Sequence, residues 1–278
     1  MAKVQSRGRV ALAMIGTLLL CLRFEVLRLT VLPAITAVLG VMSAREVHRM
    51  AGRLGVQFSR SIAMALTGGI VIMGVVDHEL YGNLLPVVLT GAMMLVFVVQ
   101  MRLYGIPGAF SGVASNMLTL LYVAVPLSLA LQVLQYDRLF LFFSLVMIWA
   151  SDSGAYFVGR KFGRTSLAPT LSPKKTVEGL FGGVAVCCLV ALGFKLAVPA
   201  AAFSYPLSHV LFLAALIGIA APAGDLAESV LKRDCGVKDS GHSLGGHGGV
   251  LDRIDSMFFC MPVCYGYLRF FVWPFLES

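Results

Sequence analysis

The sequence has few charged residues for its length. Only 13% of its 278 residues are charged, 58% are hydrophobic, and the mean hydropathy is +0.87. A water-soluble globule of this size needs more polar side chains to cover its surface. The composition therefore excludes a soluble globular protein and indicates a polytopic membrane protein.

Motifs of redox, zinc and P-loop nucleotide sites are also missing. The chain has six cysteines but no Cys-x-x-Cys pair. Most of these cysteines lie in apolar runs, where they act as small hydrophobic residues. The glycine-rich stretch near the carboxy terminus does not end in Gly-Lys-Ser/Thr, so it is no Walker A loop.

Acidic residues are scarcer than basic ones, and the formal net charge is +8. Such an excess could indicate a nucleic-acid partner, but no basic stripe with interleaved aromatic residues lies outside the loops. Cytoplasmic loops of membrane proteins and binders of anionic lipids carry the same excess. We therefore expect a lipid bilayer as the partner and no nucleic acid.

Nine apolar runs predict an all-α, polytopic membrane protein with about nine transmembrane helices. We expect a single membrane domain over residues 1–278, with amino-terminal helices and an interfacial segment in 1–135 and the catalytic helices and loops in 136–278. The first run resembles a secretory signal but lacks a cleavage site, so we interpret it as a retained helix. The runs are 10–22, 26–42, 61–76, 83–99, 113–134, 138–158, 177–198, 207–221 and 254–275.

The basic residues of the loops are unevenly distributed between the two sides. Most of the 22 lysines and arginines fall on the side that holds the amino terminus. The positive-inside rule then predicts a multi-pass protein of the inner membrane, with a cytoplasmic amino terminus and an external carboxy terminus. The polar segment 43–60 is predicted to be a surface helix at the membrane interface that serves topology alone.

Acidic residues cluster in the second half of the chain at the edges of apolar runs. A helix through Asp225 places Ser229 and Lys232 on the same face, and Asp252 and Asp255 share a face at i, i+3. Carboxylates without a Cys or His cage favour Mg²⁺ or Mn²⁺ over zinc. The alternative is that these acids only pair with nearby basic residues and pin helices together.

Two stretches indicate phosphate binding. Ser172 to Thr176 places Lys174 and Lys175 just before a predicted helix, where free N–H groups and the helix dipole favour an anion. The glycines of Gly245 to Gly249 allow the backbone to wrap a phosphate. An ordinary helix cap and a flexible turn are the alternatives. Together with the acids, these features predict chemistry on a phosphorylated lipid at the cytoplasmic surface.

A long pattern around these residues resembles the signature of the phosphatidate cytidylyltransferases, also called CDP-diacylglycerol synthases. Asp152 to Phe157 and Ser172 to Gly179 are similar to two further blocks of that family, with Ser153 where threonine is common and Ser151 where asparagine is common. The resemblance is strong from Trp149 to Ser256. The signature positions are Ser229, Leu231, Lys232, Arg233, Lys238, Asp239, Gly241, Leu244, Gly245, His247, Gly248, Gly249, Val250, Asp252, Arg253, Ile254 and Asp255.

The resemblance implies that CTP and phosphatidate are converted to CDP-diacylglycerol and pyrophosphate, with Mg²⁺ as the cofactor; it also allows a second cation and a homodimer. It implies catalytic roles for Asp225, Asp252, Ser229 and Lys232, and metal binding by Asp225, Asp252 and Asp255. The implied substrate-binding residues are Lys174, Lys175, Arg233, Lys238, His247, Gly248, Arg253, Asp152 and Glu178. A CTP-dependent lipid kinase and a transporter with buried charges are the two alternatives.

Overall fold

The computed structural model describes residues 24–243 and 248–272, together with Gly16. Eight helices lie in these residues, and each coincides with one predicted run. The first run, 10–22, lies outside the described residues apart from Gly16. The helices are α1 Leu27–Arg53, α2 Arg60–Met73, α3 His78–Leu103, α4 Ala109–Tyr136, α5 Arg138–Phe162, α6 Val177–Ala197, α7 Leu207–Asp234 and α8 Leu251–Tyr267, which a π-helical turn, Leu268–Val272, extends.

Six of the described helices are long and apolar enough to cross a membrane. The prediction of an all-α, multi-pass membrane protein is confirmed, and the predicted number of about nine spans is approximate. The structure adds a small antiparallel hairpin between α5 and α6. Its strands are β1, Ser166–Ala168, and β2, Ser172–Thr176, with Ser166 opposite Thr176.

Local capping fixes where several helices begin. The Asp137 carboxylate accepts the N–H of Leu139 at 2.7 Å and thereby caps α5. The Thr176 hydroxyl accepts the N–H of Gly179 at 3.1 Å and caps α6 directly after β2. Such caps satisfy N–H groups that have no partner within the helix. The last residue of the hairpin, Thr176, is therefore also the residue that caps α6.

Helices α5 to α8 pack against one another, and α8 also packs on α4. The crossing of α7 and α8 is close: a Cβ at Gly224 would lie 2.8 Å from the backbone oxygen of Asp255. Pro222 has no N–H for the carbonyl of Gly218, which instead accepts the Ser151 hydroxyl of α5 at 3.3 Å. Small residues and a freed carbonyl thus bring α5, α7 and α8 together at the level of the acidic residues.

The polar segment 43–60 differs from its prediction. Residues 43–53 continue α1 rather than forming a separate surface helix. One face of this stretch, including Glu46 and His48, is buried in the protein, whereas Arg45 and Arg49 on the other face are exposed. Polar residues at helical spacing are typical of a helix that lies against water. The same spacing is also found in a helix whose polar face packs on a polar loop, so the pattern does not distinguish the two.

The same end of the bundle holds the ends of α1, α5 and α7, the starts of α6 and α8, and the hairpin. Contacts between distant segments tie these elements together: Glu46 contacts Leu251, Lys175 contacts Asp225, and Arg233 contacts Leu171. The described charged residues singled out by the sequence all lie at this end or just below it.

Candidate active site

A cavity of about 460 Å³ opens between α5, the hairpin, α6 and α7. Its charged and hydroxyl-bearing lining comes from three separate stretches of the chain. Asp152 and Arg160 lie on α5, Lys174, Lys175 and Thr176 on β2, and Asp225 on α7. The fold therefore brings residues of the two upstream blocks, Asp152 to Phe157 and Ser172 to Gly179, against Asp225 of α7.

The Lys175 ammonium joins the hairpin to α7. It lies 2.7 Å from a carboxylate oxygen of Asp225 and 3.3 Å from the carbonyl of Pro222. The Ser229 hydroxyl, one turn along α7, lies 3.5 Å from the second oxygen of Asp225. The Asp225 side chain is 38% exposed, and it lines the cavity.

Asp255 and Asp152 complete this group. The close crossing at Gly224 sets Asp255 of α8 beside Asp225, and Asp152 lies within electrostatic range of both acids and of Lys175. We call Asp152, Lys175, Asp225 and Asp255 the cavity cluster. It combines three carboxylates with one ammonium, and Arg160 and Lys174 add positive charge to the lining of the cavity.

A second charged group lies deeper between α7 and α8. The Lys232 ammonium contacts Glu228 at 2.6 Å and Asp252 at 2.7 Å, and the Glu228 side chain is fully buried. The second oxygen of Asp252 accepts the Gly249 N–H at 2.8 Å and the Ser240 hydroxyl at 2.9 Å. Both oxygens of Asp252 thus accept hydrogen bonds from other residues of the protein.

These contacts control the ionisation of Asp252, which precedes the last apolar run. Partial burial works to raise the pKa of Asp252, but the hydrogen bonds from Lys232, Gly249 and Ser240 outweigh it and hold the pKa below its ordinary value. Asp252 is therefore a stable carboxylate near neutral pH.

Glu46 of α1 is the residue that the sequence analysis missed. Its fully buried carboxylate accepts the Ser243 hydroxyl at 2.6 Å and lies 2.9 Å from the Ser240 hydroxyl, whose single proton is shared between Glu46 and Asp252. It also accepts the N–H groups of Val250 and Leu251, at 3.1 and 2.9 Å. The only sequence signal was one acid among arginines in segment 43–60, a stretch that the family resemblance did not cover.

The described part of the glycine-rich loop wraps carboxylates of the protein itself. Gly248 has a φ of +82° and lies against Asp252, while a Cβ at Gly241 would lie 2.7 Å from Glu46. Gly245, Gly246 and His247 lie outside the described residues. We call Glu46, Glu228, Lys232, Ser240 and Asp252 the inner network.

The other predicted substrate-binding residues lie around the cavity and the loop. Lys174 is exposed and lines the cavity. Arg233 donates to the carbonyls of Leu171 and Val237, so it ties the hairpin turn to the end of α7. Glu178 accepts the N–H groups of Arg164 and Thr165 and holds the approach to β1. Lys238 and Arg253 are exposed at the same end.

The sequence profile of the Cytidylyltransferase family matches residues 5–271 of this chain. The chain belongs to this family. The match extends across the first half, including α1 and Glu46, where the signature residues gave no information.

Curated relatives agree with the family assignment. The phosphatidate cytidylyltransferase of Bacillus subtilis is 44% identical over 137 residues, which are 49% of this chain and 50% of that protein. The protein of the same name from Thermotoga maritima is 41% identical over 159 residues, 56% of this chain and 59% of that protein. The chain thus spans about half to three-fifths of the length of the curated relatives it matches.

The family resemblance implies Mg²⁺, and the cavity cluster has a donor set that fits it. Among residues 24–243 and 248–272, no three His, Cys, Asp or Glu side chains lie close enough to hold a metal ion by themselves. Mg²⁺ is commonly held by one or two carboxylates together with substrate phosphates, so a complete protein cage is not required. Asp225 and Asp255 are the candidate pair. Asp225 contacts Lys175 at 2.7 Å and Ser229 only at 3.5 Å, and the described hydrogen bonds of Asp255 fall on one oxygen, from Ser256, whereas both oxygens of Asp252 accept short hydrogen bonds.

Proposed function

We propose that this protein is a phosphatidate cytidylyltransferase that converts CTP and phosphatidate to CDP-diacylglycerol and pyrophosphate. The observation that carries the proposal is the cavity at one end of apolar helices, which Lys174, Lys175 and Asp225 line and in which Lys175 pairs with Asp225. A lipid phosphate at the membrane surface and a nucleotide triphosphate from solution can both reach such a site. The family membership and the names of the relatives support the same reaction.

In this reaction a phosphate oxygen of phosphatidate attacks the α-phosphorus of CTP. A new P–O bond forms, the bond to the β-phosphate oxygen breaks, and pyrophosphate leaves with the electron pair. Phosphoryl and nucleotidyl transfer depend mainly on positioning and on neutralising charge rather than on a protein nucleophile. Lys174 and Lys175 supply positive charge at the cavity, and the Asp225 carboxylate positions Lys175.

We propose Asp225 and Asp255 as the residues that would hold Mg²⁺, with Asp152 beside them. When bound, the ion neutralises phosphate charge that the lysines alone cannot balance. The sequence prediction also named Asp252; its contacts with Lys232, Ser240 and Gly249 support a role in orienting α8 instead. Ser229 would assist Asp225 from the next turn of α7.

We further propose that the site faces the cytoplasm, with the amino terminus on the same side of the inner membrane. The uneven loop charges support this orientation. Cys235 follows α7 at the site end, so a variant that keeps only this cysteine reports sidedness. A membrane-impermeant maleimide should label it in inverted vesicles and not in intact spheroplasts; the reverse pattern would overturn the orientation.

The reaction is tested with purified protein, phosphatidate, MgCl₂ and CTP labelled at either the α- or the γ-phosphate. The cytidylyltransferase transfers the α-label to the lipid and releases the γ-label as pyrophosphate, and EDTA stops both. A lipid kinase given an alcohol acceptor would instead move the γ-label to the lipid and release CDP. Absence of turnover with either label would overturn the proposed function and favour a transporter.

A further inference from the structure

Glu46 does not line the cavity, and neither the family signature nor the relatives' names give it a role. We propose that Glu46 is a positioning residue that holds the start of α8, and with it Asp252 and Asp255, in the geometry needed for cytidylyl transfer. The test of this proposal by enzyme activity rests on the proposed function. The test by amide hydrogen exchange at the start of α8 rests on the structure alone.

The start of α8 lacks a cap of its own. Val250, at the position where a capping side chain is expected, cannot accept a hydrogen bond, and no side-chain cap is formed locally. The first N–H groups of a helix have no partner within it and carry the positive end of the helix dipole. The Glu46 carboxylate accepts the N–H groups of Val250 and Leu251 and so caps α8 from α1.

Glu46 is also linked to the inner network. The Ser240 hydroxyl lies 2.9 Å from an oxygen of Glu46 and 2.9 Å from an oxygen of Asp252. Glu46 therefore holds both ends of the loop between α7 and α8: Ser240 and Ser243 where it begins, and Val250 and Leu251 where it ends. Asp252 and Asp255 lie in the first turns that follow.

Replacing Glu46 by glutamine breaks this arrangement in a defined way. Each carboxylate oxygen accepts one hydroxyl and one backbone N–H. A hydroxyl facing the new amide nitrogen can rotate and become an acceptor, but a backbone N–H cannot. In either orientation of the glutamine, the N–H of Val250 or of Leu251 loses its acceptor. Aspartate keeps both acceptor oxygens and the charge, although it is one methylene shorter.

The loss should appear in kcat more than in KM. Lys174, Lys175 and the hairpin do not contact Glu46, so CTP binding at the cavity is retained in Glu46→Gln. Misplacement of reactive groups by about 1 Å can cost about 100-fold in rate. We expect kcat to fall roughly 10- to 100-fold while KM for CTP changes less than about 3-fold, and we expect Glu46→Asp to recover part of the rate.

The experiment compares Glu46→Gln, Glu46→Asp and Glu25→Gln with the wild type. Glu25 is a matched control because it is exposed just before α1 and pairs only with Arg28 among the described contacts. Each variant is assayed for kcat and KM, and amide hydrogen exchange is measured across residues 238–256. Exchange should accelerate at the start of α8 in Glu46→Gln alone, with the other helices still protected.

The outcomes separate the two proposals. If the wild type transfers no cytidylyl group, the proposed function fails, and the exchange data still test whether Glu46 holds α8. If the wild type is active and Glu46→Gln matches it in kcat and in exchange, the positioning role fails. Loss of protection throughout Glu46→Gln and Glu46→Asp alike would also overturn it, because that pattern marks a purely structural residue.

Discussion

The cavity cluster and the inner network use the same residue types for opposite arrangements. In the cavity cluster, Lys175 pairs with a half-exposed Asp225 beside an open cavity. In the inner network, Lys232 lies between a fully buried Glu228 and an Asp252 whose two oxygens are both engaged. The two groups lie only one to two turns apart along α7.

This difference indicates that the inner network has a structural role and that the cavity cluster has a role in substrate binding. A buried charge that is already paired and hydrogen-bonded is costly to disturb and holds its neighbours in place. A carboxylate with spare acceptor capacity at a cavity can exchange its partners for a substrate or a metal ion. Lysine and aspartate pairs at this end of the bundle are therefore expected to divide into one group that holds the helices and one that meets the substrate.

The largest effect is expected for Asp225→Asn in the cavity cluster. Loss of its charge should lower kcat by roughly 1000-fold or more, because Asp225 would no longer position the Lys175 ammonium or hold Mg²⁺ beside the transferring phosphates. Its thermal unfolding in detergent should stay close to that of the wild type. Pyrophosphate release and the unfolding midpoint are measured together, with Asp234→Asn, an exposed acid on the same helix, as the control. Substantial activity in Asp225→Asn would remove Asp225 from the site.

Lys232→Met tests the inner network. It leaves Glu228 and Asp252 buried without their shared cation, which should lower the free energy of unfolding by about 3 kcal/mol. Unfolding by sodium dodecyl sulfate titration measures the change, and Lys161→Met, at an exposed position on α5, is the control. Equal stability of the two variants would show that the network does not hold α7 to α8.

Lys174→Gln should have the smallest effect. Lys174 is exposed at the cavity and has no acidic partner among the described contacts, so its removal should raise KM for CTP about 10-fold with little change in kcat. The difference from wild type should shrink as salt is added, because exposed charges are screened. Lys161→Gln serves as the control; an unchanged KM in Lys174→Gln would place the CTP phosphates elsewhere.

Periodic and compositional signals were sufficient for the membrane class and for most helices. Each of the eight described helices overlaps a predicted apolar run, and six of them are long enough to cross a bilayer, whose thickness sets the length of such a run. The i, i+4 spacing of Asp225 and Ser229 agrees with their 3.5 Å contact, whereas Lys232 contacts Glu228 and Asp252 instead. These features depend on residues that are close together in the sequence.

The roles of single charged residues could not be predicted in this way. Asp225 and Asp252 are both aspartates at the edge of an apolar run, yet one lines a cavity and the other is enclosed by Lys232, Ser240 and Gly249. The segment with Glu46 was interpreted as a surface helix because its binding partners lie 194 or more positions away. No spacing rule connects residues at that separation.

By itself the sequence determined that this chain is a helical membrane protein and which family it belongs to. It also determined which blocks of residues carry the candidate chemistry. These conclusions follow from local pattern and composition. Only the tertiary structure decided that α1 caps α8 through Glu46, that Lys232 is enclosed and that Asp225 is open. The physical reason is that burial and pairing depend on which helices meet. That is set by close crossings such as the one at Gly224 rather than by any residue's neighbours in the chain.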